Sequence, residues 1–259
     1  MLESAAALIA RHWPLANGSG RIVDNYARGL SLGTGERQAR TSSGFSITVL
    51  ADDLIGRHIL LTGKFDHSIV TVLLDNAKSG DVLLDIGANI GYVAACFLNK
   101  IPDGTAICIE PQPGIVHLLR QNLDQFGRNE VCQVALSDRD GEAAFHINTA
   151  NRGNSGIRAD GEIKVPVLEA AKLLRGLDKL DLIKIDVEGH ELPILRSIEP
   201  ELRRLRPRAI LFEDQTESGE LRHILRRCGY SIFGIKKTLF KTQLVEGLSG
   251  VNDHLAVLR

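Results

Sequence analysis

An excess of charge of either sign is what this 259-residue chain lacks: 31 lysines and arginines face 32 aspartates and glutamates, a formal net charge of -1. Without a basic excess there is no global field to hold nucleic acid, which is excluded as an expected partner. Cysteine is scarce as well. Cys96, Cys108, Cys132 and Cys228 are scattered through apolar stretches with no C-x-x-C pair. That pattern argues against a disulfide framework or a cysteine zinc site, and it reads as small core residues of a reducing compartment. No apolar run approaches the roughly 20 residues needed to span a bilayer, so no transmembrane segment is expected. The first 13 residues lack the basic stretch and long apolar core of a secretory signal, which makes the cytoplasm the expected location. Internal repeats and low-complexity tracts are absent too.

What is present is enough chain for one α/β domain with a modest N-terminal extension. Residues 1–13 read as a short amphipathic helix closed by Pro14, followed by a loose stretch at 17–20 and a Gly/Ser/Thr-rich region at 29–44. Residues 45–50 alternate like a strand that Ile59 to Leu61 would pair with, and 67–77 read as a helix carrying Ile69, Val70, Leu73 and Leu74 on one side. From Asp81 onward strand and helix alternate, with apolar strands at 81–86, 105–110, 131–136, 181–186 and 208–213. That alternation predicts an α/β fold, a parallel sheet with helices on both faces. Between the third and fourth of these strands, 142–147 and 162–168 read as extra strands around NRGNSG at 151–156, a segment suited to lining a site. A helix at 216–228 and short strands at 230–235, 238–245 and 255–258 complete the chain. The expected division is an extension over 1–62, a pocket cover in one reading, and the main domain over 63–259.

The most informative segment is DVLLDIGANIG at 81–91, a buried strand running into a glycine loop that opens a helix. Gly87 and Gly91 let the backbone turn sharply and approach a ligand; Ala88 and Asn89 lie between them, where free N–H groups meet a carboxylate or phosphate. Glu110 ends the next strand about 20 residues on, the distance one βαβ step requires, and a carboxylate there can accept from both hydroxyls of a ribose. The loop departs from G-x-G-x-x-G, which argues against a pyrophosphate cofactor. S-adenosylmethionine fits instead, with Asp85 placed for its ammonium, directly or through a water. Leu136, Ser137 and Asp138 then stand at the end of the third strand to read adenine, though Asp138 also suits a plain turn before Gly141.

These segments resemble the FkbM family of S-adenosylmethionine-dependent methyltransferases. The likeness covers roughly residues 63–214 and rests on VLLDIGANIGY at 82–92, IEPQP at 109–113 (with Pro111 following the acidic residue), ALSD at 135–138, and above all LIKIDVEGHE at 182–191. It implies a Rossmann-like class I methyltransferase fold with a mostly parallel seven-stranded sheet and helices on both faces, a methionine and sugar pocket at the first segment, Glu110 as ribose ligand, and the last segment beside the transferred methyl.

In KIDVEGHE at 184–191 the strand period puts Lys184 and Asp186 on one face, and the chain turns at Gly189, so Asp186, Glu188 and His190 crowd the carboxyl end of the sheet. An alcohol attacking a methyl group needs a base. Asp186 or Glu188 is the candidate, with Lys184 orienting the carboxylates or lowering their pKa, and His190 ranks below them. Asp186 is also counted with the cofactor pocket. No metal is assigned, although Asp186, Glu188, Glu213 and Asp214 form an alternative set of hard oxygen ligands. The basic runs at 203–208 and 226–227 read as solvated helix faces. The expected activity is O-methylation of a saccharide, a glycan or lipid-linked hydroxyl, or a polyketide-like small molecule, and a homodimer is compatible with it. The alternatives are an N-methyltransferase, a dinucleotide-dependent nucleotide-sugar enzyme, or a degenerate fold that only binds.

Overall fold

The structure, a computed structural model, describes residues 2–15, 17–215, 219–247 and 250–259, with the side chains of residues 2 and 3 left aside. The chain begins with α1 (Leu2–Arg11) and α2 (Ser19–Tyr26), the latter opening in the stretch expected to be loose. A two-stranded antiparallel ribbon follows, β1 (Glu36–Arg40) and β2 (Ser46–Leu50). Ile59 to Leu61 do not pair with it; they lie inside α3 (Leu54–Thr62). The short apolar run is compatible with either period, and helix caps decide. The Asp53 carboxylate accepts from the N–H groups of Ile55 and Gly56, and Gly63 takes a left-handed φ of 76° to end the helix.

After α4 (His67–Asp75) come β3 (Val82–Ile86), α5 (Tyr92–Lys100), β4 (Thr105–Ile109), α6 (Pro113–Asp124) and β5 (Asn129–Cys132). The strand expected at 131–136 is broken: β6 (Ala135–Ser137) leaves the large sheet and joins β7 (Gly141–His146), β8 (Gly156–Ile157) and β9 (Ile163–Glu169) in a small four-stranded sheet of order β6-β9-β7-β8. The chain then re-enters the main sheet through α7 (Ala170–Arg175), β10 (Leu182–Ile185), α8 (Glu191–Leu205) and β11 (Ala209–Glu213). It finishes with α9 (Glu220–Arg227), β12 (Tyr230–Lys237), β13 (Thr242–Val245) and β14 (Asp253–Leu258). The expected start of α9 at 216–218 lies outside the described residues.

The large sheet runs β13-β12-β14-β11-β10-β3-β4-β5. Its five strands from β11 to β5 are parallel, and β14, β12 and β13 attach antiparallel. Among the described residues it has eight strands, one more than expected, because β13 hairpins onto β12 at the edge. The chain steps outward through β4 and β5 on one side of β3 and through β10 and β11 on the other. The carboxyl ends of β3 and β10 therefore flank a switch point, where open α/β sheets bind ligands. Both faces are covered. One apolar layer joins Leu83, Ala106 and Leu182 to Phe97 and Leu119, and it also takes in Ile47, Val49 and Ile59 from the N-terminal region. The other sets Leu84, Ile109, Ile183 and Phe212 against Ile194, Ile198 and Leu225. Such two-sided burial explains why these strands read as apolar runs rather than alternations.

Candidate active site

A cavity of about 340 Å³ opens at this switch point. One end of its floor is the loop after β3. The N–H groups of Gly87 and Ala88 both donate to the Ile109 carbonyl at 3.0 Å, which ties the loop to the end of β4. Gly87 has φ 76°, and a Cβ there would stand 1.9 Å from the Asp186 carbonyl oxygen, so only glycine lets β3 and β10 deliver their loops side by side. Asn89 is itself left-handed, with φ 49°. Its N–H donates to one oxygen of Glu110 and the Gln112 N–H to the other, each at 2.9 Å. Two backbone donors leave that carboxylate with spare lone pairs facing the cavity. Burial pushes the Glu110 pKa up to about 7, although both backbone hydrogen bonds oppose the shift.

Of the residues expected to hold a cofactor, Gly87, Ala88, Asn89, Glu110, Pro111, Leu136 and Asp186 line the cavity. Asp85, Gly91, Ser137 and Asp138 do not, and each departure has a physical cause. Asp85 is wholly buried beneath the cavity, because parallel register places it directly beside Lys184, whose Nζ lies 3.3 Å from its Oδ1. Gly91, with φ 83°, faces Leu119 instead, so its freedom serves the packing of α5 on α6. The Ser137 hydroxyl pairs with Nε2 of His190 at 2.8 Å, and Asp138 is exposed on the turn beyond.

Lys184 is the hub between the two ends of the cavity. Its ammonium donates to the Gly87 carbonyl at 3.2 Å and stands 3.3 Å from both Asp85 and Asp186. Burial works against that charge, but Asp186 and Asp85 outweigh it and hold the Lys184 pKa raised. Beyond β10 the chain makes a strained turn, with Glu188 at φ 55° and Gly189 at φ 99°. Glu191 shapes it from below: its buried carboxylate accepts from the N–H groups of Val187 and Gly189, each at 3.1 Å. The turn brings Asp186, Glu188 and, from the end of β11, Glu213 together, with carboxylate oxygens all within 4.8 Å of one another. Among the described residues this is the one group of side chains so disposed to share an ion. Asp214 is not part of it, being directed to Arg222 at 3.2 Å.

Crowding has a cost. Burial pushes Glu188 up to about 7, and the charges of Glu213, Asp186 and Glu191 push the same way. Glu213 also rises to about 7, first by burial and then by Asp186 and Asp253. With its amide oriented to donate, Asn154 reaches both Glu188 oxygens at 3.0 and 2.6 Å. His190 lines the cavity, with its pKa lowered by burial.

Several wall residues escaped the sequence reading. Lys237 sits between Asp66 at 2.9 Å and Asp253 at 2.8 Å, three side chains brought together from opposite ends of the chain. Arg152 lines the wall from the segment at 151–156, and its N–H donates to Asp53 at 2.7 Å, tying that segment to the cap of α3. No local spacing announces such contacts; only the NRGNSG composition pointed toward the site.

A family profile described as "Methyltransferase FkbM domain" matches residues 85–232. The chain is 28% identical over 162 residues to the hexuronic acid methyltransferase AglP of Haloferax volcanii, a match covering 60% of this chain and 66% of that protein. It is 30% identical over 164 residues to the 2-O-methyltransferase NoeI of Sinorhizobium fredii, covering 55% and 66%. The match to the 31-O-demethyl-FK506 methyltransferase FkbM of Streptomyces tacrolimicus is 27% over 203 residues, covering 63% and 77%. The chain thus spans 66% of the length of each of the first two relatives.

Proposed function

Because the chain belongs to the methyltransferase FkbM domain family, we propose that it moves a methyl group from S-adenosylmethionine to a hydroxyl of a saccharide or saccharide-like small molecule, free or carried on a glycan or lipid. The observation that carries this reading is one cavity with two differently built ends: Glu110 held by backbone donors at one, and Glu188 crowded by acids at the other.

The residues present fit the donor. Glu110 keeps acceptor sites for a ribose diol, Leu136 offers an apolar wall for a purine, and the loop of Gly87 and Ala88 comes close enough for backbone contact. Bound S-adenosylmethionine supplies an electrophilic methyl carbon on a sulfonium. The chain's own work is to bind, orient and take a proton. Of the two candidate bases, Glu188 suits the proton better: a base is most effective when its pKa lies near the working pH, and this one is pushed to about 7. Asp186 is held by Lys184 and orients. With the donor bound, the methyl would leave the sulfonium, whose sulfur keeps the bonding electron pair as S-adenosylhomocysteine departs, and the acceptor hydroxyl would give its proton to a Glu188 oxygen, with Asn154 positioned to steady the carboxylate.

The acceptor side carries Asp66, Asp186, Glu188, Glu213 and Asp253. Lys184 and Lys237 offset part of that charge, and the carboxylates favour a neutral polyol, whose hydroxyls donate to them. The same acids suit a protonated amine, which keeps N-methylation as the second reading. Leu54 and Ile55 line the cavity, which supports residues 1–62 acting as its cover. The test is methyl transfer from labelled S-adenosylmethionine to matched neutral, acidic and amino sugars, beside calorimetric titration of S-adenosylhomocysteine. Neutral hydroxyl sugars should be labelled. Labelling of amino sugars alone would convert the assignment to N-methylation, and S-adenosylhomocysteine binding without transfer to any acceptor would favour a binding module.

A further inference from the structure

The connection from β12 to β13 breaks the ordinary chemistry of a turn. Residues 238–241 close tightly: the N–H of Thr238 donates to the Lys241 carbonyl at 3.0 Å, and the Lys241 N–H donates to the Thr238 hydroxyl at 3.2 Å. The two central positions, normally given to Asn, Gly or Asp, are Leu239 and Phe240. They are 44% and 74% exposed, and Leu244 on β13 adds a third apolar side chain at 47%. The turn is also anchored. Asn17 donates to the Thr238 carbonyl at 2.8 Å and to the Leu239 carbonyl at 3.2 Å, and the Leu239 side chain lies beside Gly18. An apolar apex held in place in water loses free energy unless something covers it.

The charges around it identify the cover. Lys236 and Lys241 flank the apex, exposed, and neither has a carboxylate within 4 Å among the described residues. Other basic positions differ: Arg203 and Arg227 pair with Glu199, Arg204 with Glu201, and Arg208 with Asp81. Behind the turn is a depression of about 370 Å³ lined by Leu239, Arg21 and Lys64, and those two cations also lack a carboxylate partner among the described residues. Lys237, Asp66 and Phe65 border both this depression and the cavity of the candidate site, so the turn stands at its mouth.

We propose that the turn at 238–241 is a peripheral contact for an anionic lipid bilayer. Leu239 and Phe240 enter the boundary between headgroups and acyl chains, while Lys236 and Lys241, backed by Arg21 and Lys64, meet lipid phosphates. No helix among the described residues is long and apolar enough to cross a membrane, so the contact is a docking one. It holds whichever acceptor is methylated.

The experiment is sedimentation of the full chain with vesicles of phosphatidylcholine, with and without phosphatidylglycerol. The wild type should bind the anionic vesicles and lose that binding as salt rises. Lys236→Glu with Lys241→Glu should weaken it at least about thirty-fold, near five-fold for each lysine lost. Leu239→Ser with Phe240→Ser should weaken it about ten-fold or more, and Phe240→Trp should give a blue-shifted emission only on anionic vesicles. Both double variants should keep the wild-type melting temperature and S-adenosylhomocysteine affinity. Equal binding by the wild type and Leu239→Ser/Phe240→Ser would overturn the proposal. So would a wild type that ignores vesicles but forms a dimer this variant loses, since the patch would then belong to a second copy of the chain.

Discussion

Glu110 and Glu188 face the same cavity, and burial pushes both to about 7, yet their surroundings pull in opposite directions. Around Glu110 the largest further influences lower the pKa: two backbone N–H groups from short loops hold the carboxylate in one orientation. Around Glu188 they raise it: Glu213, Asp186 and Glu191 arrive from separate elements and crowd it. A carboxylate fixed by hydrogen bonds is an acceptor for binding. A crowded one changes its protonation readily, which is what proton transfer requires. Lys184 stands between the two ends, 3.3 Å from both Asp85 and Asp186.

The sharpest way to break this contrast is paired substitution. Glu188→Gln should lower turnover roughly 10²–10⁴-fold, the usual worth of a positioned base, with the S-adenosylhomocysteine dissociation constant nearly unchanged. Glu110→Gln should do the reverse, weakening donor binding by about one to two orders of magnitude with a smaller effect on turnover at saturation. If both variants lost turnover alone, the two ends would not differ in role.

Next in size is the hub. Lys184→Met strands the buried carboxylate of Asp85 and should cost about 3–5 kcal/mol of stability, read as a melting temperature roughly 10 °C lower. Asp85→Asn added to it should recover most of that loss. Failure to recover would show that Lys184 acts through packing alone.

A smaller, signed effect follows from pH. Turnover requires the ionised base, so it should rise with pH through an inflection near 7 and level off above it. Glu213→Gln, by removing a neighbouring negative charge, should move that inflection lower. The stability term has the opposite sign. Carboxylates with raised pKa hold more protons folded than unfolded, so stability is fully present below the unfolded value of 4.5 and falls as pH climbs toward 7. Glu213→Gln should therefore melt above the wild type at pH about 8 and approach it at pH about 4. The smallest expected effect is none: EDTA should leave turnover intact if protons relieve the crowding of Asp186, Glu188 and Glu213. Loss restored by magnesium would give that work to a cation instead.

The Glu110 end was legible because its parts are local. A strand, a glycine loop and the next strand end are consecutive, so one βαβ step determines that Glu110 meets the loop of Asn89. The turn at 186–190 was legible for the same reason, down to the crowding of Asp186 and Glu188. Where residues had two uses, local sequence did not distinguish them. Asp85 and Gly91 belong to the motif but serve burial and packing, because register sets Asp85 beside Lys184 and α5 lies against α6. Ile59 to Leu61 and the break between β5 and β6 were ambiguous because short apolar runs fit helix or strand, and caps or pairing partners decide.

By itself, then, the sequence determined the alternating α/β order, the glycine loop with its acidic partner, and the acid-rich turn that follows β10. Each depends on neighbours along the chain and on the periods of strand and helix. Tertiary structure alone decided which carboxylates share a cavity. Glu213, Lys237, Asp253 and Asp66 line it from elements far apart in the chain, and Asn154 reaches Glu188 from beside it. The raised pKa values of Glu213 and Asp66 follow from burial and from charges brought close in space, and neither quantity is carried by spacing in the sequence.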